Sequence, residues 1–253
     1  MIGIISAMHE EMQTLLDNLQ NKTSTTKGMR TYYKGFLFKQ PVVLVFSRWG
    51  KVAAATTTTQ LINDFAIEEI LFTGVAGSIQ KSVQIGDIVV GKDLYQYDMD
   101  ASPLLESFEI PLLKRKYFTT TFYNRKLLLK ASQLFIETLS KFILKSEVKK
   151  FQINNPKVHS ENIASGDQFI STSEQINFVK NNLPNIACVE MEGAAVAQVC
   201  HEYKVPFGIF RTISDKADSN SHIDFPKFAK QIASNYALGI LKNYFELRRT
   251  SKK

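Results

Sequence analysis

The chain has 253 residues, 44% of them hydrophobic and 22% charged, with a formal net charge of +7. That length suits one large α/β domain burying roughly 70–75% of its unfolded surface, which excludes a mini-domain that needs disulfides or metal to fold. The only cysteines, Cys188 and Cys200, form no CxxC pair; they read as core residues in a reduced cytoplasmic setting and exclude structural zinc.

The start, MIGIISAMHEEM, meets acids at once, and no apolar run reaches the ~20 residues that cross a bilayer. Neither a signal peptide nor a membrane partner is expected. IGIIS, Ile2 to Ser6, reads as a first strand. A helix carrying Glu10 and Glu11 near its start follows. RTYYKGFLF and VVLVFS read as a hairpin, with Gly35 as a bulge and Pro41 at the edge of its second strand. GKVAAATTTTQLINDF has the pattern of a helix. EEILFTGVAGS is expected to be a strand ending in a glycine turn, and VQIGDIVVGKDLYQY contains another strand.

DMDASPLLESFEIPLLKRKYF has two prolines and no period, which predicts a long functional loop or lid. From Lys114 to Lys157, eleven Lys/Arg accompany two acids, Glu137 and Glu147. Such a segment can bind nucleic acid. Its lysines interleave with apolar residues at helical spacing, however, so a solvated helix face over about 123–145 is expected and nucleic acid is not an expected partner. Nucleic-acid binding would show as salt-dependent retention on heparin. HSENIASGDQFI returns to the sheet and a short helix follows. NIACVEME is a strand, GAAVAQVCHEY a helix and PFGIFRTISD a strand. An amphipathic helix covers 225–247, and the tail LRRTSKK is expected to fray. With no repeat and no linker, this alternation predicts a single α/β domain over 1–253.

Four polar clusters sit where strands end: Glu10–Glu11, TGVAGS, EME and RTISDKAD. Ligands gather outside the carboxyl ends of strands in open α/β sheets, so the four clusters point to one pocket built from distant segments. Glu11 in a first helical turn can simply complement the helix dipole. Glu190 and Glu192 alternate with Val189, Met191 and Gly193, so a continuing strand would aim both to one side. There a carboxylate pair would grip a vicinal diol. The plain alternative, a cap on the next helix, explains one glutamate at most. Asp215, just after a buried strand, suits a general acid or else an N-cap. Arg211 suits a structural partner for an acid. TGVAGS is neither GxGxxG nor a P-loop, no GxSxG elbow is present, and His9, His159, His201 and His222 lack metal-ligand spacing.

In combination, IGIISAMHEEM, GKVAAA, TGVAGS, GDIVV, SGDQFI, VEMEGAAVA and RTISDKAD, in this order, resemble the 5′-methylthioadenosine/S-adenosylhomocysteine nucleosidases of the nucleoside phosphorylase superfamily. The resemblance runs from Ile2 to about Phe228 and is weakest over 114–157. It implies an α/β fold of three layers, a twisted mixed sheet between helices, and a hydrolase that needs no cofactor and no metal. It also implies a cytoplasmic homodimer acting on a small nucleoside in methionine salvage. Carried over, Glu11 would activate water, Asp215 would protonate adenine at N7, and Glu192 would bind the ribose diol with Met191 beside the sugar. Glu190 and Arg211 would support them. Phe169 and Ile170 would hold adenine, Ala76 would lie by the sugar, and Ser214 and Phe225 would close the base pocket. Met8 and Trp49 would line the thioalkyl side, with Leu104, Phe108 and Pro111 reaching in from the neighbouring subunit.

Two departures stand out. Arg48 and Trp49 precede GK where a glycine and an aliphatic residue are common, and the stretch DASPLLESFEIPLL differs from the usual lid. A nucleoside phosphorylase is disfavoured because Phe72 stands where those relatives hold phosphate with arginine, and Glu11 would repel phosphate. A futalosine-type nucleosidase would use the same groups. A non-catalytic nucleoside-binding protein would have no need of a base aimed at water.

Overall fold

The computed structural model describes residues 1–218 and 221–250, with 222–224 described in backbone only. Its elements are β1 (Ile2–Ser6), α1 (His9–Asp17), β2 (Gln20–Lys27), β3 (Arg30–Leu37), β4 (Gln40–Phe46), α2 (Lys51–Phe65), β5 (Glu69–Ser78), β6 (Ile88–Gln96), β7 (Tyr117–Thr119), α3 (Phe122–Glu137), α4 (Lys145–Lys150), β8 (Val158–Ser165), α5 (Ser173–Asn182), β9 (Ile186–Glu190), α6 (Gly193–Glu202), β10 (Phe207–Asp215), α7 (Ser221–Phe228) and α8 (Ser234–Thr250). A π turn over Ala229–Ala233 joins the last two helices.

The runs that give β1, β5 and β10 are almost wholly apolar or small, as strands covered on both faces require. β1 lies parallel between β4 and β5, and β3 and β2 extend this side antiparallel. On its other edge β5 runs parallel to β10, which pairs antiparallel with β6. The parallel series β6, β8, β9 then returns to β5, where Gly77 and Ser78 face Val189 and Cys188. Five strands thus close a ring from which β1, β4, β3 and β2 continue as an open sheet.

Along one edge, β5 pairs with β1 through residues 69–72 and with β9 only from Gly77. Residues 73–76 therefore lie in a fork between the two. TGVAGS is not a turn, as its glycines suggested, but extended chain inside this fork. Gly74 and Gly77 serve the approach of side chains rather than a reversal.

Helices cover both faces, as expected. Met12 of α1, Leu128 and Phe135 of α3 and Tyr236 and Phe245 of α8 share one core. Ala54 and Leu61 of α2 and Ala194 and Val196 of α6 share the other. The basic segment differs from the single helix predicted over 123–145. α3 stops at Glu137, and the lysines of α4 are carried by a separate short helix. Lys126 and Lys130 face solvent while Leu128 and Ala131 face the core. β2 was not predicted because all eight of its residues are exposed, so no alternation marks it. In the β3–β4 ladder Gly35 pairs with Val42 without a bulge, while on its other side the β2–β3 register shifts between Gln20 and Thr23. The glycine instead admits Gln20 O, which would stand 2.6 Å from an added Cβ. The single helix expected over 225–247 is built as α7 from Ser221, the π turn and α8, and α8 stays helical to Thr250 because Arg248 donates to Glu69 at 2.9 and 3.1 Å. The expected frayed residues 251–253, and the side chain of His222, lie outside the described residues. Among the described residues no helix is long and apolar enough to cross a membrane.

Candidate active site

The fork leaves the amide of Val75 without a strand partner, and Glu11 supplies one. β1 ends at Ser6, the chain turns through Ala7 and Met8, and α1 starts, which places Glu11 one turn in, beside the fork. Its Oε1 accepts from Val75 N at 2.9 Å. Its Oε2 accepts from Ser6 Oγ at 2.7 Å, Ala7 N at 3.0 Å and Met8 N at 3.1 Å. Burial raises its pKa; the Ser6 hydroxyl, Arg211 and the amides of Val75 and Met8 act in the opposite direction. A base held this way has one lone pair left for a ligand.

Gly74 makes this placement possible. A Cβ there would lie 2.9 Å from Glu11 Oε1 and 3.3 Å from Arg211 Nη1. Gly74→Ala is therefore expected to displace the Glu11 carboxylate and lower turnover by about 10²-fold, the typical cost of a misplaced group. Steady-state kinetics beside a thermal melt checks this, since the folded fraction should change far less than the rate.

The two glutamates of the EME segment do not act as a pair. Glu190 accepts from Arg211 Nη2 at 2.6 Å, from Gly193 N at 2.8 Å, from Glu192 N at 3.2 Å and from Ser165 Oγ. It thus holds Arg211 and caps α6, and its oxygens are fully used. The Arg211 guanidinium lies 4.0 Å over the Phe72 ring. The strand ends at Glu190, so the alternation that would have aimed both glutamates one way stops there. Glu192 alone offers a free oxygen. Its Oε1 accepts from Gly50 N at 2.9 Å. Burial, and then the Glu190 charge, push its pKa up to about 8.

That shift fixes the sign of a stability effect. The folded-state pKa of Glu192 lies above its unfolded value. Its favourable contribution is therefore complete below about pH 4.5 and is lost as pH rises through about 8. Glu192→Gln is expected to melt higher than the parent at pH 9, with the gap closing towards pH 5. Melting curves across that range check it; a gap that stays constant would show that the carboxylate carries no such cost.

At the end of β10 a register shift after Ile213 turns Asp215 towards Gly77. Asp215 Oδ2 accepts from Ser214 Oγ at 2.7 Å and Oδ1 from Ala217 N at 2.8 Å. A Cβ on Gly77 would stand 2.9 Å from Oδ1.

Glu11, Glu192 and Asp215 are 3%, 5% and 4% exposed, yet all line one cleft. Met8, Trp49, Ala76, Phe169, Ile170, Met191, Ser214 and Phe225 also reach it, with Glu190 at its floor. The Phe225 ring stands 6.3 Å from Trp49 and 6.1 Å from Phe169, edge-on to both. Arg211 lies behind the lining rather than in it. Pro111 and Leu104 are exposed and do not line this chain's cleft, and Phe108 packs on Phe178 instead. Arg48 donates to Met29 O at 2.7 Å and walls an adjoining hollow beyond Met8, Trp49 and Phe225. Sequence reasoning did not single out Ser6, or the amides of Gly50 and Val75. Backbone donors leave no mark in composition.

A profile describing the phosphorylase superfamily matches residues 1–246. A 5′-methylthioadenosine/S-adenosylhomocysteine nucleosidase of Staphylococcus carnosus is 34% identical over 247 residues, spanning 96% of this chain and 100% of that protein. The corresponding nucleosidase of Colwellia psychrerythraea, solved in complex with adenine, superposes with a TM-score of 0.84 at 33% identity, covering 97% of this chain and 95% of that one. A futalosine hydrolase of Helicobacter pylori gives 0.82 at 29% identity, covering 97% of each chain.

Proposed function

The chain belongs to the 5′-methylthioadenosine/S-adenosylhomocysteine nucleosidase family of the phosphorylase superfamily, and from that premise we propose that it cleaves the N-glycosidic bond of one or both of these nucleosides with water. The observation that carries the reading is the convergence of three buried carboxylates not taken up by an ion pair, Glu11, Glu192 and Asp215, on one cleft with a largely apolar lining, where Glu190 is held by Arg211. Glycoside hydrolysis needs an acid on the leaving group and a carboxylate on the water, flanking an oxocarbenium-like transition state.

In this reading Asp215 gives its proton to adenine N7 as the C1′–N9 bond breaks. Adenine then departs neutral. Glu11 takes a proton from the water that attacks C1′. Glu192 accepts from the ribose hydroxyls, and its ionised form gains as positive charge develops on the sugar. Phe169 and Ile170 hold the base, Met191 and Ala76 the sugar, and Met8, Trp49 and Phe225 the 5′ side. Glu190 and Arg211 fix α6 beneath them.

Phosphorolysis finds little support in the site. Among the described residues the cleft lining contains no lysine or arginine, Arg211 is committed to Glu190, and the Phe72 ring lies buried beneath that guanidinium. The reading includes a homodimer in which the loop bearing Leu104, 88% exposed here, covers the neighbour's cleft. The test is the product profile from 5′-methylthioadenosine with and without phosphate. Free adenine and free methylthioribose in both cases support hydrolysis; a sugar phosphate formed only with phosphate would overturn it. A futalosine-type substrate is the second reading. It is favoured by the hollow beyond Trp49, lined by Arg48 and Lys230 together with Glu10, which would give room to a bulky 5′ group. Faster cleavage of such a nucleoside than of 5′-methylthioadenosine would select it.

A further inference from the structure

Helix α2 begins at Lys51 after Gly50, a residue with φ of 92° and no side chain to cap the helix. Its first amides are served instead by two carboxylates from elsewhere in the chain. Gly50 N donates to Glu192, and Lys51 N donates to Asp167 Oδ1 at 2.7 Å. Both carboxylates also benefit from the positive end of the helix dipole.

Asp167 opens the loop 166–170 that carries Phe169 and Ile170 into the cleft. Its own amide donates to Asp98 Oδ2 at 2.8 Å, and Asp98 Oδ1 pairs with Lys51 Nζ at 2.6 Å. Lys51 Nζ also reaches Gln96 Oε1 at 3.2 Å, and Gln96 Nε2 donates to Gln198 Oε1 of α6 at 2.8 Å. The Lys51–Asp98 pair is 16% and 20% exposed, sheltered enough to keep a defined geometry. The start of α2 is therefore tied to Glu192 on one side and to the loop of Phe169 and Ile170 on the other. None of Lys51, Asp98 and Asp167 lines the cleft.

We propose that Asp167 and Asp98, acting through Lys51, are positioning residues that set the spacing between the base wall at 168–170 and the ribose carboxylate Glu192. The inference rests on the nucleosidase reading and adds to it a specificity device remote from the chemistry. The loop has two further ties that do not involve α2: Gly166 N donates to Glu190 O at 3.2 Å, and Tyr97 OH donates to Gln168 O at 3.0 Å. Cutting the tie to α2 therefore leaves the base wall formed but free to move relative to Glu192. A ligand that touches only the base wall should be held nearly as before. A nucleoside, which spans both walls, should not.

The test compares the parent protein with Asp167→Ala and Asp167→Asn. It measures KM and kcat for 5′-methylthioadenosine, calorimetric binding of adenine, and the melting midpoint. Asp167→Ala is expected to raise KM about tenfold with adenine affinity held within about twofold, the scale of a modest misplacement. Asp167→Asn should recover most of the KM, since its amide oxygen still accepts from Lys51 N. Adding Asp98→Ala to Asp167→Ala removes the remaining tie, from the amide of residue 167 through Asp98 to Lys51 Nζ, and should raise KM further. An unchanged KM in folded Asp167→Ala overturns the proposal. So does a parallel loss of adenine and nucleoside affinity that follows the melting midpoint, the signature of a merely structural contact. If Asp167→Ala does not fold, Asp98→Ala, which keeps the cap on Lys51 N, is read the same way: a raised KM with adenine binding intact supports the role, and an unchanged KM ends it. Failure of the parent to cleave any of the nucleosides would overturn the functional reading itself, before any variant is compared.

Discussion

Asp215→Asn is expected to lower kcat by about 10²–10⁴-fold, the usual worth of a positioned general acid, with little change in the melting midpoint. The structure separates the two effects. Asn keeps an oxygen for the amide of Ala217, which Asp215 accepts at 2.8 Å. At the other position Nδ2 replaces Oδ2, and the Ser214 hydroxyl, which now donates at 2.7 Å, can rotate to accept instead. What disappears, in the proposed mechanism, is the acidic proton for adenine. A substrate whose leaving group departs without protonation should therefore lose far less rate than 5′-methylthioadenosine. Equal losses on both substrates would mean that Asp215 places the sugar rather than protonates the base. A collapsed melting transition would assign it to the fold.

Much of this site was legible because its side chains fall at the ends of strongly patterned segments. Glu11 follows the apolar run of β1 by a few residues, Glu192 follows β9, and Asp215 closes β10. The rest was hidden where the information is not local. TGVAGS reads as a turn from its glycines, yet Gly74 and Gly77 are small because Glu11, Arg211 and Asp215 crowd their Cβ positions. Those neighbours lie far away in sequence. Glu190 and Glu192 look equivalent in one dimension. The difference is made by Arg211 and Ser165, which consume the oxygens of Glu190, and by the end of β9, which stops the alternation. β2 was missed for the opposite reason: an exposed edge strand carries no apolar period at all.

The buried charges also explain why the site is built as a network rather than as three separate acids. Glu190 and Arg211 meet where neither sees solvent, and removing one partner of such a pair typically costs about 3–5 kcal/mol. This pair fixes the start of α6, which begins beside Glu192, and places positive charge near Glu11. Arg211 thus acts against the rise that burial imposes on the pKa of two carboxylates. Glu11 and Glu192 are kept buried at a cost to stability.

Glu11→Gln is the sharper test of mechanism, with a predicted fall in kcat of about 10²–10⁴-fold and retained nucleoside binding. In the proposed mechanism the ionised Glu11 is the proton acceptor, and burial holds its pKa above the ordinary 4.5. The acid limb of kcat/KM should therefore appear at higher pH than a surface glutamate would give, with activity rising as Glu11 loses its proton. Residual turnover in Glu11→Gln should lose that limb. The fold responds in its own way. Because the folded-state pKa is raised, the contribution of Glu11 to stability is full below about pH 4.5 and is lost as pH rises through the raised value. Relief of that cost by Gln is offset, since its amide nitrogen must face one of the donors now satisfied, Val75 N among them. An unsatisfied buried donor costs about 1–3 kcal/mol, so rates must be compared per folded molecule. Affinity for 5′-methylthioadenosine within a few-fold of the parent, beside a rate lost by orders of magnitude, identifies the water base. Affinity lost in step with rate would instead make Glu11 a binding group, and the attacking water would need another acceptor among the carboxylates of the cleft.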